Sequence, residues 1–182
     1  MDRYKIVVIV GSLRRDSFNQ KPANAIVKLA PPTFAFDHLS IGGLPLYNQD
    51  DDATQAAAVI TLKAQIFAAQ GVMFLTPEYN RSIPGVLKNA IDHASRPYGK
   101  SAWDGKPAGI LGVSVGAVGT ANAQQHLRNI LAYLNMPTLG QPEAFIQAKD
   151  GLFDAAGNIG TDSKAFLQGW MNRYVAWVTK HA

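Results

Sequence analysis

Two hydroxyls, a carboxamide and two guanidinium groups fall within the stretch Gly11-Ser12-Leu13-Arg14-Arg15-Asp16-Ser17-Phe18-Asn19. The stretch leaves an apolar run, Ile6 to Val10, and leads into a helical pattern. A strand that ends in a Gly/Ser turn and feeds a helix start offers backbone N–H groups without partners and a partial positive charge, which suits an anion. Ser12 and Ser17 add hydroxyl donors, Asn19 an amide, and Arg14 or Arg15 a fixed charge. Each charge-assisted hydrogen bond of this kind is worth about 1.5–3 kcal/mol. The turn therefore reads as a phosphate cradle, although an ordinary strand-to-helix connection with a serine cap has a similar composition. It lacks the Gly-x-Gly-x-x-Gly fingerprint and the Gly-Lys-Ser/Thr ending, so a terminal monophosphate fits better than a pyrophosphate laid on bare backbone.

Two further stretches bear on the same chemistry. Thr76-Pro77-Glu78-Tyr79-Asn80-Arg81-Ser82-Ile83-Pro84-Gly85 joins two prolines to an aromatic and an amide, so its backbone polar groups point in fixed directions. A planar, hydrogen-bonding ring system is the natural guest; the plainer reading is that Pro77 and Pro84 end a strand and open a helix. Ser114-Val115-Gly116-Ala117-Val118-Gly119-Thr120 is a second Gly/Ser turn, suited to close contact with little side chain in the way.

The rest of the chain nominates no catalytic side chain. The sequence shows no Ser-His-Asp set and no paired catalytic carboxylates, so the chemistry is left to a bound group. Glu78 is a candidate for positioning, with proton donation as the alternative. His38, His93, His126 and His181 lack ligand spacing, and Asp50-Asp51-Asp52 reads as a solvated run, so no metal is expected. The absence of cysteine excludes disulfides, thiolate metal sites and a cysteine nucleophile.

The elements that must position these loops follow from the pattern. A chain of 182 residues suffices for one domain, expected over residues 1–182, that buries about 70% of its unfolded surface. Strands are predicted at residues 4–10, 33–39, 71–75 and 108–113, with a short fifth within 136–146. The first is a continuous β-branched run, the mark of a strand covered on both faces, and the second reads as an edge. Helices are predicted from an Asn19 cap to about Pro31, then over 53–69, 85–94, a stretch ending at Leu134, and 161–180. Pro22 then falls in a first helical turn, where it is tolerated. The Trp170, Tyr174, Trp177 series forms the buried stripe of the last helix. Residues 40–52 form a loop too apolar to be left in water, and it is expected to fold over a pocket or against a partner subunit. Strand and helix alternate throughout, which predicts a doubly wound parallel sheet with helices on both faces. All three unusual turns then meet at the C-terminal edge of the strands, where ligands of such sheets bind.

The net charge of +4 comes from singly scattered lysines and arginines, which argues against nucleic-acid binding. No stretch reaches the ~18 apolar residues of a membrane span, and the first residues enter a strand without a signal-peptide pattern, so a cytoplasmic address is expected.

These motifs resemble the NADPH-dependent FMN reductase family, in particular its quinone, chromate and azo reductase branch. The likeness rests on Gly11-Ser12-Leu13-Arg14 with Ser17 and Asn19, and on Thr76-Pro77-Glu78-Tyr79-Asn80-x-Ser82-x-Pro84-Gly85 with Leu87-Lys88-Asn89-Ala90-Ile91-Asp92. It continues through Ser95-Arg96-Pro97, Gly105-Lys106-Pro107 and Gln125-His126-Leu127-Arg128. The resemblance implies a flavodoxin-like fold with five strands in the order 2-1-3-4-5 and bound FMN. It further implies NADPH or NADH as electron donor, a small-molecule electron acceptor served by ping-pong kinetics, and a homodimer or homotetramer. Carried over, Ser12, Arg14, Ser17 and Asn19 hold the FMN phosphate. Pro77, Glu78, Tyr79, Asn80 and Arg81, with Ser114 and Gly116, line the isoalloxazine and its ribityl side. Arg81 stands where relatives often carry an aromatic, and His93 where Trp is common. Arg81 suits a phosphate of NADPH or an anionic acceptor, or is simply an exposed arginine. A flavodoxin-type electron carrier, a non-catalytic binding domain and a reductase of free flavin are the competing functions.

Overall fold

The continuous apolar run at the start of the chain serves two cores at once. In a computed structural model, which describes residues 3–182, this run forms β1 (Tyr4–Val10). Successive side chains of a strand point to opposite faces. Val7 and Ile9 accordingly join one apolar cluster, whereas Ile6, Val8 and Val10 join the other. The remaining strands are β2 (Phe34–Leu39), β3 (Gly71–Leu75), β4 (Ala108–Ser114) and β5 (Ala144–Gln147). They lie in the order β2-β1-β3-β4-β5 and every pairing is parallel. This is the flavodoxin-like order, and the strand order reverses between β1 and β3.

Among the described residues, five α-helices cover the sheet. They are α1 (Gln20–Ile26), α2 (Ala57–Phe67), α3 (Gly85–Ala94), α4 (Ala121–Tyr133) and α5 (Thr161–His181). Leu62 and Ile66 of α2, Leu87 and Ile91 of α3, and Leu127 and Leu131 of α4 pack on Val72, Phe74 and Ile110. On the opposite face Ala23 and Ile26 of α1 meet Leu167, Trp170, Met171, Tyr174 and Val178 of α5 over Met73, Leu111 and Val113. Trp170 and Tyr174 stack with ring centroids 5.3 Å apart, and the bare Cα of Gly109 is what lets them lie on β4, since a Cβ there would stand 2.5 Å from the Tyr174 ring. Trp177 completes the stripe by donating its Nε1–H to the Pro137 carbonyl at 2.9 Å.

Pro22 is the third residue of α1, within the first turn. The second helix begins at Ala57 instead of the expected residue 53, because a 3-10 turn at Gln49–Asp51 and the extended backbone of Ala56 delay it. The apolar loop of residues 40–52 is drawn down onto α3. Asn89 donates to the Pro45 carbonyl at 2.8 Å and accepts the Tyr47 N–H at 2.8 Å, and His93 Nε2 donates to the same Pro45 carbonyl at 2.9 Å. The position held by His93 is thus a clasp for this loop. Among the described residues, no helix is long and apolar enough to cross a membrane.

Candidate functional site

Parallel pairing of β1, β3 and β4 brings the ends of the three strands, and therefore the three loops, to one rim. Between them lies a cavity of about 160 Å³, lined by Ser12, Arg14, Ser17, Phe18, Asn19, Pro77, Glu78, Tyr79, Val113, Ser114 and Val115. A larger cavity of about 370 Å³ lies beyond the C-terminal ends of α3 and α4. That places it at the other edge of the sheet.

The loop after β1 is a set of donors held ready. Ser12 Oγ accepts the Arg14 N–H at 3.3 Å and Ser17 Oγ accepts the Asn19 N–H at 3.1 Å. Neither hydroxyl proton is used by these bonds, and each is free to donate to a group in the cleft, which both residues line. Among the described residues, the N–H groups of Ser12, Leu13, Arg15, Asp16 and Phe18 have no protein acceptor. The Arg14 guanidinium lies 5.8 Å above the Phe18 ring. This donor set suits a phosphate group.

Asn19 departs from expectation. It is the residue before α1, but its side chain makes no cap bond. Its carboxamide instead donates to the Val113 carbonyl at 2.9 Å and accepts the Val113 N–H at 2.8 Å, and the residue is 1% exposed. The amide therefore clamps the end of β4 to the start of α1 in place of capping the helix, while Asn19 still lines the cleft.

The loop after β3 is built the opposite way, with Glu78 and Ser82 tied back to α4. The Glu78 carboxylate accepts the Ala123 N–H at 3.1 Å and the Asn122 amide at 3.1 Å. It takes over capping of α4, whose own preceding residue, Thr120, sits at φ +73° without a side-chain cap bond. Burial pushes the Glu78 carboxyl up, but the hydrogen bonds from Ala123 and Asn122, with Arg81 nearby, outweigh it and hold the group below its ordinary value. Glu78 is therefore ionised at neutral pH, which fits positioning and not proton donation. Tyr79 and Ser82 exchange backbone hydrogen bonds of 3.0 Å in each direction around Asn80 (φ +51°) and Arg81 (φ +66°), a type I′ turn. Ser82 Oγ lies 3.0 Å from His126 Nδ1, a second tie to α4.

The third loop closes the cleft. Ser114 donates from Oγ to the Gly116 carbonyl at 3.1 Å, stiffening the turn. Gly112, just inside β4, permits the close approach of this turn, since a Cβ there would overlap Thr120 Oγ1 and the Thr76 carbonyl. Gly116, Asn80 and Arg81 are not among the lining residues; they stand exposed outside the cleft. Phe18, Val113 and Val115 line it although their spacing carries no signal. Large exposed apolar side chains beside a polar turn are the one sign that could have found Phe18 and Val115.

Fold and cleft together define a doubly wound α/β protein with a donor-rich loop and a stiff, braced loop on one rim. The chain belongs to the NADPH-dependent FMN reductase family, whose pattern it matches over residues 4–150. It is 54% identical over 175 residues to a 2-hydroxy-1,4-benzoquinone reductase of a Burkholderia species, covering 96% of each chain. It is 44% identical over 176 residues to a quinone reductase of Pseudomonas putida, covering 96% of this chain and 95% of the relative. Among solved structures it superposes on FerB, a flavoenzyme NAD(P)H:(acceptor) oxidoreductase from Paracoccus denitrificans, with a TM-score of 0.93, 44% identity and 98% of both chains covered.

Proposed function

We propose that the protein is an FMN-dependent oxidoreductase that passes two electrons from NADPH or NADH to quinones. One reduced nicotinamide and one proton convert one quinone to the hydroquinone. The observation that carries the reading is the convergence of Ser12, Ser17 and Arg14 with the braced Glu78-Tyr79 backbone on one cleft of a family member. FMN, when bound, supplies the hydride acceptor and electron donor that the side chains lack. Ser12, Arg14, Ser17 and the loop N–H groups hold the phosphate. Pro77, Glu78 and Tyr79 fix the ring edge, with Ser114 on the other side. Asn80, Arg81 and Gly116 flank this set. Turnover through one shared face, in ping-pong order, belongs to the same reading, as do a homodimer or homotetramer and a cytoplasmic address.

The test is spectroscopic. Purified protein is expected to be yellow, to bleach on anaerobic addition of NADPH, and to regain colour when 1,4-benzoquinone is added. Colourless protein that takes up no FMN overturns the reading. Bleaching without recovery on quinone shifts it toward an electron carrier. Faster turnover of free FMN than of quinone favours the free-flavin reductase.

A further inference from the structure

Arg81 is placed where the fold has no use for an arginine. It is the second central residue of the Tyr79–Ser82 turn, at φ +66°, a conformation that glycine takes freely and an L side chain resists. Its side chain is 76% exposed, and its one ionic neighbour among the described residues is Glu78 Oε1 at 3.9 Å. Glu78 is already engaged by the Asn122 amide and the Ala123 N–H. The guanidinium thus neither packs nor completes a network, while its base is rigid. The turn is closed by two backbone hydrogen bonds and tied to α4 through Glu78 and Ser82. Beside it Tyr79, 46% exposed, lines the cleft.

We propose that Arg81 is a specificity residue that selects acidic hydroxyquinones, bound as their anions, over neutral quinones; this rests on the quinone reductase reading above. A hydroxyl conjugated to a quinone carbonyl is a vinylogous carboxylic acid and is ionised at neutral pH. Its charge is spread over two oxygens, which match the planar fork of a guanidinium better than an ammonium or a neutral donor does. The charge on Glu78 does not cancel this attraction, because helix α4 and Asn122 already compensate it. A neutral quinone gains from Arg81 only an ordinary hydrogen bond.

The experiment uses FMN-loaded wild type, Arg81→Gly, Arg81→Gln and Arg81→Lys. Glycine suits the turn, so loss of fold does not confuse the result. Two readouts are taken, kcat/KM for 2-hydroxy-1,4-naphthoquinone against 1,4-naphthoquinone, and calorimetric binding of 2-hydroxy-1,4-naphthoquinone to the oxidised protein without nicotinamide. In the Gly and Gln variants the kcat/KM ratio is expected to fall roughly tenfold, mostly through KM, with a matching loss of calorimetric affinity. The Lys variant retains part of the preference. Equal losses on both quinones, or no loss of affinity for the hydroxyquinone, overturn the proposal. So does a fall in the NADPH-to-NADH preference of Arg81→Gly in place of the acceptor effect, which would assign the guanidinium to the nucleotide phosphate. If wild type binds FMN but reduces neither quinone, the quinone reductase reading fails and this inference with it. If wild type reduces both and the variants do not discriminate, Arg81 alone loses its role.

Discussion

The two halves of the cleft are made from similar residues and built to opposite plans. In the loop after β1, hydroxyls accept from their own backbone, so their protons and the neighbouring N–H groups are left free to donate, and Arg14 lines the cleft beside them. In the loop after β3, the carboxylate of Glu78 and the hydroxyl of Ser82 are tied to α4, and the turn between them closes on itself. The first arrangement suits a charge that brings its own acceptors. The second suits a flat ring, which needs backbone groups held at fixed positions more than it needs many donors. Polar residues near a ligand site are therefore not equivalent; what matters is whether the fold has already satisfied them.

The sharpest way to break this contrast is to remove the clamp between the first loop and β4. Asn19→Ala leaves the buried N–H and carbonyl of Val113 without partners, and each unmet group costs about 1–3 kcal/mol. A stability loss of about 2–5 kcal/mol in urea unfolding is expected; a loss comparable to that of an exposed substitution would show that water replaces the amide. Arg14→Ala acts on the outward-facing side of the same loop and should leave apoprotein stability unchanged. FMN binding should weaken by about tenfold to a hundredfold, the equivalent of one charge-assisted hydrogen bond, measured by flavin fluorescence on titration. Equal flavin affinity in both proteins would remove Arg14 from the cradle.

On the braced side the effect is smaller and depends on pH. The folded Glu78 carboxyl titrates below its ordinary value despite burial, because the Ala123 and Asn122 donors favour the anion. Its stabilisation is therefore fully present above the unfolded carboxylate pKa of about 4.3 and is lost as pH falls through the lower folded value. Glu78→Gln should be about 1 kcal/mol less stable than wild type at pH 7, the usual worth of a charged cap at a helix N-terminus. The gap should close at acid pH. A gap independent of pH would mean that the carboxylate matters for shape alone.

Much of the architecture was legible because its signals are local. The β-branched run of residues 4–10 and the Gly-to-Leu run of 71–75 marked strands to the residue, and Pro84 before Gly85 marked the start of α3. The convergence of the three loops followed from strand alternation alone. What was not legible depends on partners far along the chain. Asn19 has the composition of a cap or an anion donor, and only the approach of Val113, 94 positions away, makes it a clamp. Glu78 is likewise separated by 45 positions from the N–H that fixes its role. The type I′ turn escaped notice because its usual signature is Asn-Gly, and here Asn80 is followed by Arg81.

That substitution of arginine for the expected glycine supports the smallest prediction. The left-handed conformation at Arg81 costs an L side chain about 1–2 kcal/mol, whereas the added freedom of glycine in the unfolded chain costs about 0.5–1 kcal/mol. The ion pair with Glu78 is long and exposed, so its loss contributes little. Arg81→Gly should therefore raise stability by about 0.5–1 kcal/mol, read as a higher urea midpoint with an unchanged slope. Asn80→Gly, at φ +51° in the same turn, should gain less, because asparagine tolerates the left-handed region. A turn that becomes more stable while its enzyme loses discrimination between hydroxyquinone and quinone identifies a residue retained against the preference of the fold. Destabilisation by glycine would instead mean that the guanidinium braces the turn, and the braced half of the cleft would then include its own tip.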